Sequence, residues 1–163
     1  MTLPTIYPTQ YAGTTKDFLK VKCDRSGAAR TNAGTVTVPS GTAFTTIVGL
    51  TPFNKGARFT IGSTSVACGN FGAASTTVDL GYIYSDNTTY TNNVDAWASA
   101  ATAPQAGGFV SVDEVDGISF VAEADGWIAV TINTANADAE GAITWNFIES
   151  YDGLGLNNSN NQN

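Results

Sequence analysis

Histidine is absent from the 163-residue sequence. The commonest general base of enzymes and the central member of a Ser-His-Asp triad are therefore both missing. The two cysteines, Cys23 and Cys68, cannot by themselves supply the four nitrogen or sulfur ligands of a structural zinc site. We therefore expect no nucleophilic hydrolysis and no zinc, and we interpret the cysteines as reduced, buried small hydrophobic residues, with a disulfide as the alternative.

Positive charge is missing from most of the chain, because Arg58 is the last of the seven cations. Residues 1 to 58 hold all seven cations and two acids, a net charge of +5, whereas the twelve carboxylates of residues 59 to 163 give −12. A mostly anionic surface repels phosphate, so nucleic acid is not expected as a partner. The basic first third is suited to docking onto an acidic surface.

Long apolar runs are also missing, since no segment approaches the roughly 20 residues of a membrane span. The first ten residues, MTLPTIYPTQ, lack the basic-then-apolar order of a signal peptide. We expect a soluble, unprocessed chain with no membrane partner.

Short segments of alternating apolar and polar residues predict strands. The clearest is STTVDLGYIY, in which Val78, Leu80, Tyr82 and Tyr84 share one side. Eight or nine such strands, separated by turn residues and with almost no helical period, predict an all-β fold. We expect a single-domain β-sandwich, jelly-roll-like in type, with a barrel as the alternative.

Two connections are predicted from their composition. Ala124-Asp125-Gly126 is an Asp-Gly hairpin signal between two strands in GISFVAEADGWIAVTIN. The segment SDNTTYTNNVDAWASAATAPQAGG is predicted to be a long polar loop with one helical turn near residues 95–101. Trp127 and Trp145 fall within strand patterns and are predicted to be core residues. Trp97 falls in the loop and is predicted to contact a partner or a second subunit, with packing onto its own domain as the alternative.

The ends of the chain differ in composition from its middle. Residues 1–15 hold Pro4 and Pro8 without any helical or strand period, which predicts an extended arm. The sandwich is assigned to residues 16–152. Residues 153–163 are rich in asparagine, uncharged and poor in apolar mass, which predicts a disordered tail.

Carboxylates cluster in the sequence VDEVDG, which holds Asp113, Glu114 and Asp116. We interpret the cluster as a solvated turn. Glycoside hydrolysis by these acids is one alternative, and calcium binding there or at Asp86 with Asn87 is another. We predict no catalytic residue, no metal ligand and no cofactor.

Several segments between residues 44 and 151 resemble the small virion structural proteins of tailed bacteriophages. The similar segments are TPFNKGARFTI, GAASTTVDLGYIYSD, VAEADGWIAVTI and a last aromatic strand ending FIESY. The resemblance implies a non-enzymatic β-sandwich on the phage head, a decoration or cement protein bound to the outside of the major capsid protein. It further implies assembly in the host cytoplasm and a homo-oligomer, a trimer or a dimer.

Two sets of contact residues follow as hypotheses. The N-terminal aromatic and basic residues are predicted to contact the capsid: Tyr7, Tyr11, Lys16, Lys20, Lys22, Arg25 and Arg30. A carbohydrate-binding or receptor-binding module of a head fibre or tail component is the alternative function. In that case, or at a contact between subunits, the contact residues are Trp97, Tyr84 and Tyr90.

Overall fold

The computed structural model describes residues 4–8, 30–60, 65–112 and 120–151, with only the main chain described for Arg30 and Tyr151. Within these ranges the chain forms ten strands and one short helix. In chain order these are β1 (Arg30–Val38), β2 (Ile47–Phe53), β3 (Ala57–Phe59), β4 (Ser65–Cys68), β5 (Thr77–Tyr84), β6 (Asn93–Ala101), α1 (Ala103–Ala106), β7 (Gly108–Phe109), β8 (Phe120–Val121), β9 (Gly126–Asn133) and β10 (Gly141–Tyr151).

The strands form two antiparallel sheets, one of six strands and one of four. In the six-stranded sheet β10 is central: β1 pairs along one edge, and β4 and β3 pair in succession along the other. Strands β7 and β8 lie outside β4 and β3. The four-stranded sheet has the order β2-β9-β5-β6.

Apolar side chains from both sheets fill one core between them. Phe53 of the four-stranded sheet lies edge-on to Phe59 of the six-stranded sheet, with ring centroids 6.0 Å apart. Tyr82 stacks on Phe120 across the same gap at 4.4 Å. Aromatic pairs of this kind contribute about 0.5–1.5 kcal/mol beyond the burial of their area. The chain is therefore an all-β, single-domain sandwich, as predicted.

Strand β10 shows why the sequence forms the six-stranded sheet. Ile143, Trp145 and Phe147 are buried, while Thr144 and Asn146 between them are exposed. A period of two places alternate residues on opposite faces, which suits a sheet with one dry and one wet face. The predicted burial of Trp145 is confirmed.

Cys68 lies on the inner face of β4 as a free, buried thiol. Burial raises its pKa to about 12, so the thiol is neutral at physiological pH and packs as a small hydrophobic residue. The interpretation of Cys68 is therefore confirmed. Cys23, and the strand predicted around it, lie outside the described residues.

The predicted Asp-Gly hairpin is wrong, because β8 and β9 belong to different sheets. Ala122 continues along the six-stranded sheet, where its N–H donates to the Ala57 carbonyl at 2.8 Å. Gly126 already pairs in the four-stranded sheet. The intervening Asp125 accepts a hydrogen bond from the Lys55 N–H at 2.8 Å, so its side chain holds the neighbouring β2–β3 turn.

The predicted long polar loop is also wrong, since residues 93–101 form strand β6. Trp97 is buried in the core at 1% exposure and offers no surface to a partner. Register shifts between β5 and β6 insert extra residues into β6, and Ala100 at one of them has a φ of 51°. Bulges of this kind break the alternation of apolar and polar residues, which is why the sequence concealed the strand.

Candidate functional site

Aromatic side chains line a pocket of about 350 Å³ at one end of the sandwich. Tyr82 and Tyr84 come from the inner face of β5, Phe120 from β8 and Tyr90 from the β5–β6 connection. The remaining lining residues are Thr89, Thr91, Val121 and Glu123. The volume falls within the range of about 300–1,000 Å³ that is usual for ligand pockets.

The aromatic rings of the pocket have more than one orientation, since Tyr82 and Phe120 are stacked at 27° while Tyr84 is inclined to both of its tyrosine neighbours. Tyr82 and Tyr84 have ring centroids 5.3 Å apart and planes inclined at 64°. Tyr84 and Tyr90 are 5.5 Å apart and inclined at 52°. The rings thus line a partly open pocket and do not make a single flat platform.

A tight turn after β5 brings Tyr90 back to this enclosure. The Asp86 carboxylate accepts hydrogen bonds from the N–H groups of Thr88 and Thr89 at 3.1 and 3.3 Å. A hydrogen bond from the Thr89 side chain is the main cause of the lowered pKa of Asp86, and these two main-chain bonds add to it, so the charged form is favoured. The Tyr90 N–H donates to the Asp86 carbonyl at 3.2 Å, so the turn closes on itself.

Asn92 fixes the other side of this turn. Its side-chain oxygen accepts a hydrogen bond from the Tyr84 N–H at 2.7 Å. The turn is thereby held at both ends by residues whose side chains bond to the main chain, as Asp and Asn commonly do in loops. Tyr90 is placed against Tyr84 as a result.

The pocket disfavours negative charge. Burial raises the pKa of Tyr82, and the nearby charge of Glu123 raises it further. Burial is also the largest cause of the raised pKa of Tyr84, where a hydrogen bond from the Glu123 N–H acts in the opposite direction. That N–H donates to the Tyr84 hydroxyl at 3.4 Å, which ties β5 to the segment carrying Glu123.

A second feature is the N-terminal segment, residues 4–8, which extends the four-stranded sheet at its β2 edge. The N–H of Thr5 donates to the Ile47 carbonyl at 2.8 Å, and the N–H of Gly49 donates to the Ile6 carbonyl at 2.7 Å. The ring of Tyr7 lies 6.1 Å from that of Trp127. Tyr7 is nevertheless 42% exposed, so it combines an intramolecular contact with an accessible surface.

The structure brings together only some of the predicted contact residues. Tyr84 and Tyr90 share the pocket, whereas Trp97 lies in the core. Arg30 is opposite Glu149 in the pairing of β1 with β10, and its side chain is not described. Five predicted contacts lie outside the described residues: Tyr11, Lys16, Lys20, Lys22 and Arg25.

Sequence reasoning missed Tyr82 and Phe120 as pocket residues. Both belong to strand patterns, so they were predicted only as parts of strands. For Tyr82, its place on the strand that leads into a turn rich in Asp, Asn and Thr was the available signal. Phe120 required knowledge of which sheet β8 joins.

The described residues contain no cluster of three His, Cys, Asp or Glu side chains able to hold a metal ion. Asp113, Glu114 and Asp116 lie outside that part of the chain. No helix in the described ranges is long and apolar enough to cross a membrane.

No family model and no curated protein matches the sequence. The fold is similar to that of a chain in the capsid asymmetric unit of cyanophage Pam1, with a TM-score of 0.58 and 13% identity over 78% of this chain and 86% of that chain. It is also similar to a chain in the capsid of Ralstonia phage GP4, with a TM-score of 0.54 and 19% identity over 80% and 88% of the two chains. At these identities the similarity shows a shared fold, an architecture also found in the capsids of two phages.

Proposed function

We propose that this chain is a non-enzymatic structural protein of a bacteriophage virion, a decoration or cement protein that binds the outside of the major capsid protein lattice and stabilises the head. The proposal rests on the sandwich fold, which is similar to most of one chain in each of two phage capsids. The absence of histidine from the sequence supports a role without chemistry. Oligomerisation as a trimer or a dimer belongs to the same proposal.

We assign the capsid contact to the N-terminal arm and the basic segment after it. Residues 4–8 anchor the arm beside β2, and the chain returns at Arg30 to form β1. The side-chain amide of Asn32 in β1 donates to the hydroxyl of Thr51 in β2 at 2.5 Å, so the two strands are neighbours across the sandwich. The described residues on either side of the basic segment, 4–8 and those of β1, therefore both lie next to β2.

The charge of that segment gives the contact its chemistry. Lys16, Lys20, Lys22 and Arg25 lie between the two anchors and meet only two acids, whereas residues 59–163 carry no cation. Clustered charge of one sign steers a protein toward a surface of the opposite sign. An acidic outer capsid surface is therefore the expected partner, and the anionic remainder of the chain would face solvent and limit aggregation between particles.

The location of the protein on intact particles tests the function. We expect it to sediment with purified heads of the encoding phage, and cryo-electron microscopy should show sandwich-shaped density on the outside of the shell. Density at a tail or at a head fibre would reject decoration and favour the receptor-binding alternative. Absence from purified particles would reject a virion role altogether.

Charge reversal tests the contact surface. Because residues 4–8 pack on their own sheet, deleting the arm would also disturb the fold, so substitutions are the better design. Lys20→Glu with Lys22→Glu should weaken binding to undecorated heads, whereas the control pair Lys55→Glu with Arg58→Glu makes the same change in net charge elsewhere.

Binding of the unaltered chain should also weaken toward about 0.5 M salt, where the Debye length falls below the roughly 10 Å found at 0.1 M. Equal losses in both pairs, or affinity independent of salt, would contradict this assignment.

A further inference from the structure

The aromatic pocket has a composition that suits one ligand class. Four of its eight described lining residues are aromatic, and Glu123 at its rim is the only one with a formal charge. None of these lining residues is a cation. Aromatic rings carry negative charge on their faces, so rings and a carboxylate together attract positive charge.

The geometry of the rings distinguishes a cation-binding site from a sugar-binding site. A sugar usually stacks flat on an aromatic face and uses its hydroxyl groups for hydrogen bonds. Tyr84 instead stands at 64° to Tyr82 and at 52° to Tyr90, while Tyr82 stacks on Phe120, so rings of more than one orientation line one partly open pocket. Aromatic cages of inclined rings are the usual way to hold an alkylated ammonium group.

Partial desolvation makes such an interaction stronger. Tyr84 is 3% exposed and is packed on both sides by aromatic rings. Cation–π attraction is stronger where water is displaced than at exposed sites. Burial raises the pKa of Tyr82, and the nearby negative charge of Glu123 raises it further, which is the direction expected where a cation is favoured.

We propose that the pocket formed by Tyr82, Tyr84, Tyr90 and Phe120, with Glu123 at its rim, binds the cationic head of an alkylammonium or guanidinium group. The group can belong to a free small molecule or to a Lys or Arg side chain of another protein, since the recognised chemistry is the same. This site is separate from the basic N-terminal segment and does not rest on the virion function.

Paired ligands that differ only in charge test the proposal on the full chain. Choline and its uncharged analogue 3,3-dimethyl-1-butanol are titrated while the tyrosine ring signals are followed by NMR. We expect choline to shift the signals of Tyr82, Tyr84 and Tyr90, and to bind at least about tenfold more tightly than the analogue, equivalent to about 1.4 kcal/mol. Two further titrations identify the kind of cation. Methylguanidinium represents an Arg side chain, and N-acetyl-lysinamide represents a Lys side chain.

Three variants separate the cage from other forms of binding. Glu123→Gln should weaken choline binding by about threefold to tenfold, and Tyr90→Leu should weaken it by more than about tenfold. Tyr90→Phe keeps the ring and should bind choline nearly as well as the unaltered chain. Thermal unfolding midpoints of all three confirm that a lost signal reflects the site and not the fold.

Defined outcomes would overturn the proposal. Equal affinity for the two paired ligands, or no effect of Glu123→Gln, would show that charge is not recognised. No binding of any cation by a folded chain would reject the site directly. Binding of an oligosaccharide that is lost in Tyr90→Phe, without cation binding, would replace the proposal with the carbohydrate-binding alternative.

Discussion

Most outward-facing residues of the central strands of the four-stranded sheet, β5 and β9, are buried, whereas those of the central strand of the six-stranded sheet, β10, are exposed. Ile83, Trp127 and Ala129 form a small apolar cluster on the outer face of the four-stranded sheet, separate from the main core and at most 2% exposed. On the six-stranded sheet, the outward residues of the central β10 are exposed: Ala142, Thr144, Asn146 and Ile148.

The chain itself supplies cover for the four-stranded sheet. A β-carbon on Gly49 would lie 2.6 Å from Pro4 and 2.8 Å from Trp127, so the N-terminal segment and the indole meet over this glycine. Ile47 and Val94 pack against the same apolar cluster from the sides. No comparable cover lies over the outer face of β10 in the described part of the chain.

The two sheets therefore differ in how they tolerate substitution. An antiparallel sheet usually has one dry and one wet face, as the six-stranded sheet does. The four-stranded sheet has two dry faces, so β2 and β9 read as nearly continuous buried runs. Substitutions on its outer face are therefore expected to cost stability, while those on the outer face of the other sheet are not.

The largest expected effect is at Trp127. Trp127→Ala removes a side chain that is 2% exposed and leaves a cavity beneath the N-terminal segment. We expect the free energy of unfolding to fall by about 3–5 kcal/mol, the usual cost of truncating a buried aromatic residue. Urea titration followed by far-UV circular dichroism measures the change.

Phe109→Ala is the matched control for Trp127→Ala. Phe109 is also aromatic, but it lies on β7 at the edge of the six-stranded sheet and is 74% exposed. Its truncation should change the stability by no more than about 0.5 kcal/mol. Similar costs at the two positions would show that the outer faces do not differ as described.

Gly81 gives the next largest effect. An added β-carbon would overlap the Asn93 carbonyl oxygen and lie 2.5 Å from the carbonyl carbon of Val94, because β6 crosses closely over this glycine. Backbone cannot move aside as a flexible side chain does, so we expect Gly81→Ala to cost about 2–3 kcal/mol. The control Ala142→Val enlarges an exposed residue of β10, and thermal unfolding should show no loss there. A Gly81→Ala protein of unchanged stability would refute this close approach.

Regular alternation allowed the sequence to predict much of the sandwich. Ile143, Trp145 and Phe147 alternate with polar residues, and their burial follows directly from the period of two. Strand β6 lacked that signal, since its bulges place Ala96, Trp97 and Ala98 in the interior consecutively. Sheet membership was likewise hidden, because the Asp-Gly signal describes a local turn and not the partner of each strand.

The candidate site could be predicted only in part. Tyr84 and Tyr90 were named from their residue type in a polar segment, and the Asp86 turn brings them together. The contribution of Phe120 depends on β8 pairing with β3 and on Tyr82 facing across the sandwich. Both are long-range consequences of the fold, which no local pattern encodes.

Asp79 gives a smaller effect, because it is a buried polar residue on the outer side of the four-stranded sheet. Its carboxylate accepts hydrogen bonds from the Ala100 N–H at 2.7 Å and from the Asn133 amide at 2.9 Å, which holds the bulge of β6 against β9. Asp79→Asn replaces one acceptor oxygen with a donor, so one bond is lost at a cost of about 1–2 kcal/mol. Asp95→Asn, an exposed position on β6 with the same charge change, is the control in urea titrations. Equal effects at the two sites would assign the loss to net charge.

The smallest expected effect is a difference in coupling energy between two threonine pairs, one on each sheet. The hydroxyl oxygens of Thr77 and Thr134, at the four-stranded sheet, are 2.9 Å apart, and Thr77 is 8% exposed. Those of Thr35 and Thr144, on the six-stranded sheet, are 3.3 Å apart in an exposed pair. Exposed hydroxyl groups exchange their partner for water at little cost, so double-mutant cycles to alanine should give a coupling of about 1 kcal/mol for the first pair and below about 0.5 kcal/mol for the second. A stronger coupling in the exposed pair would show that burial does not set the difference in coupling energy between the two threonine pairs.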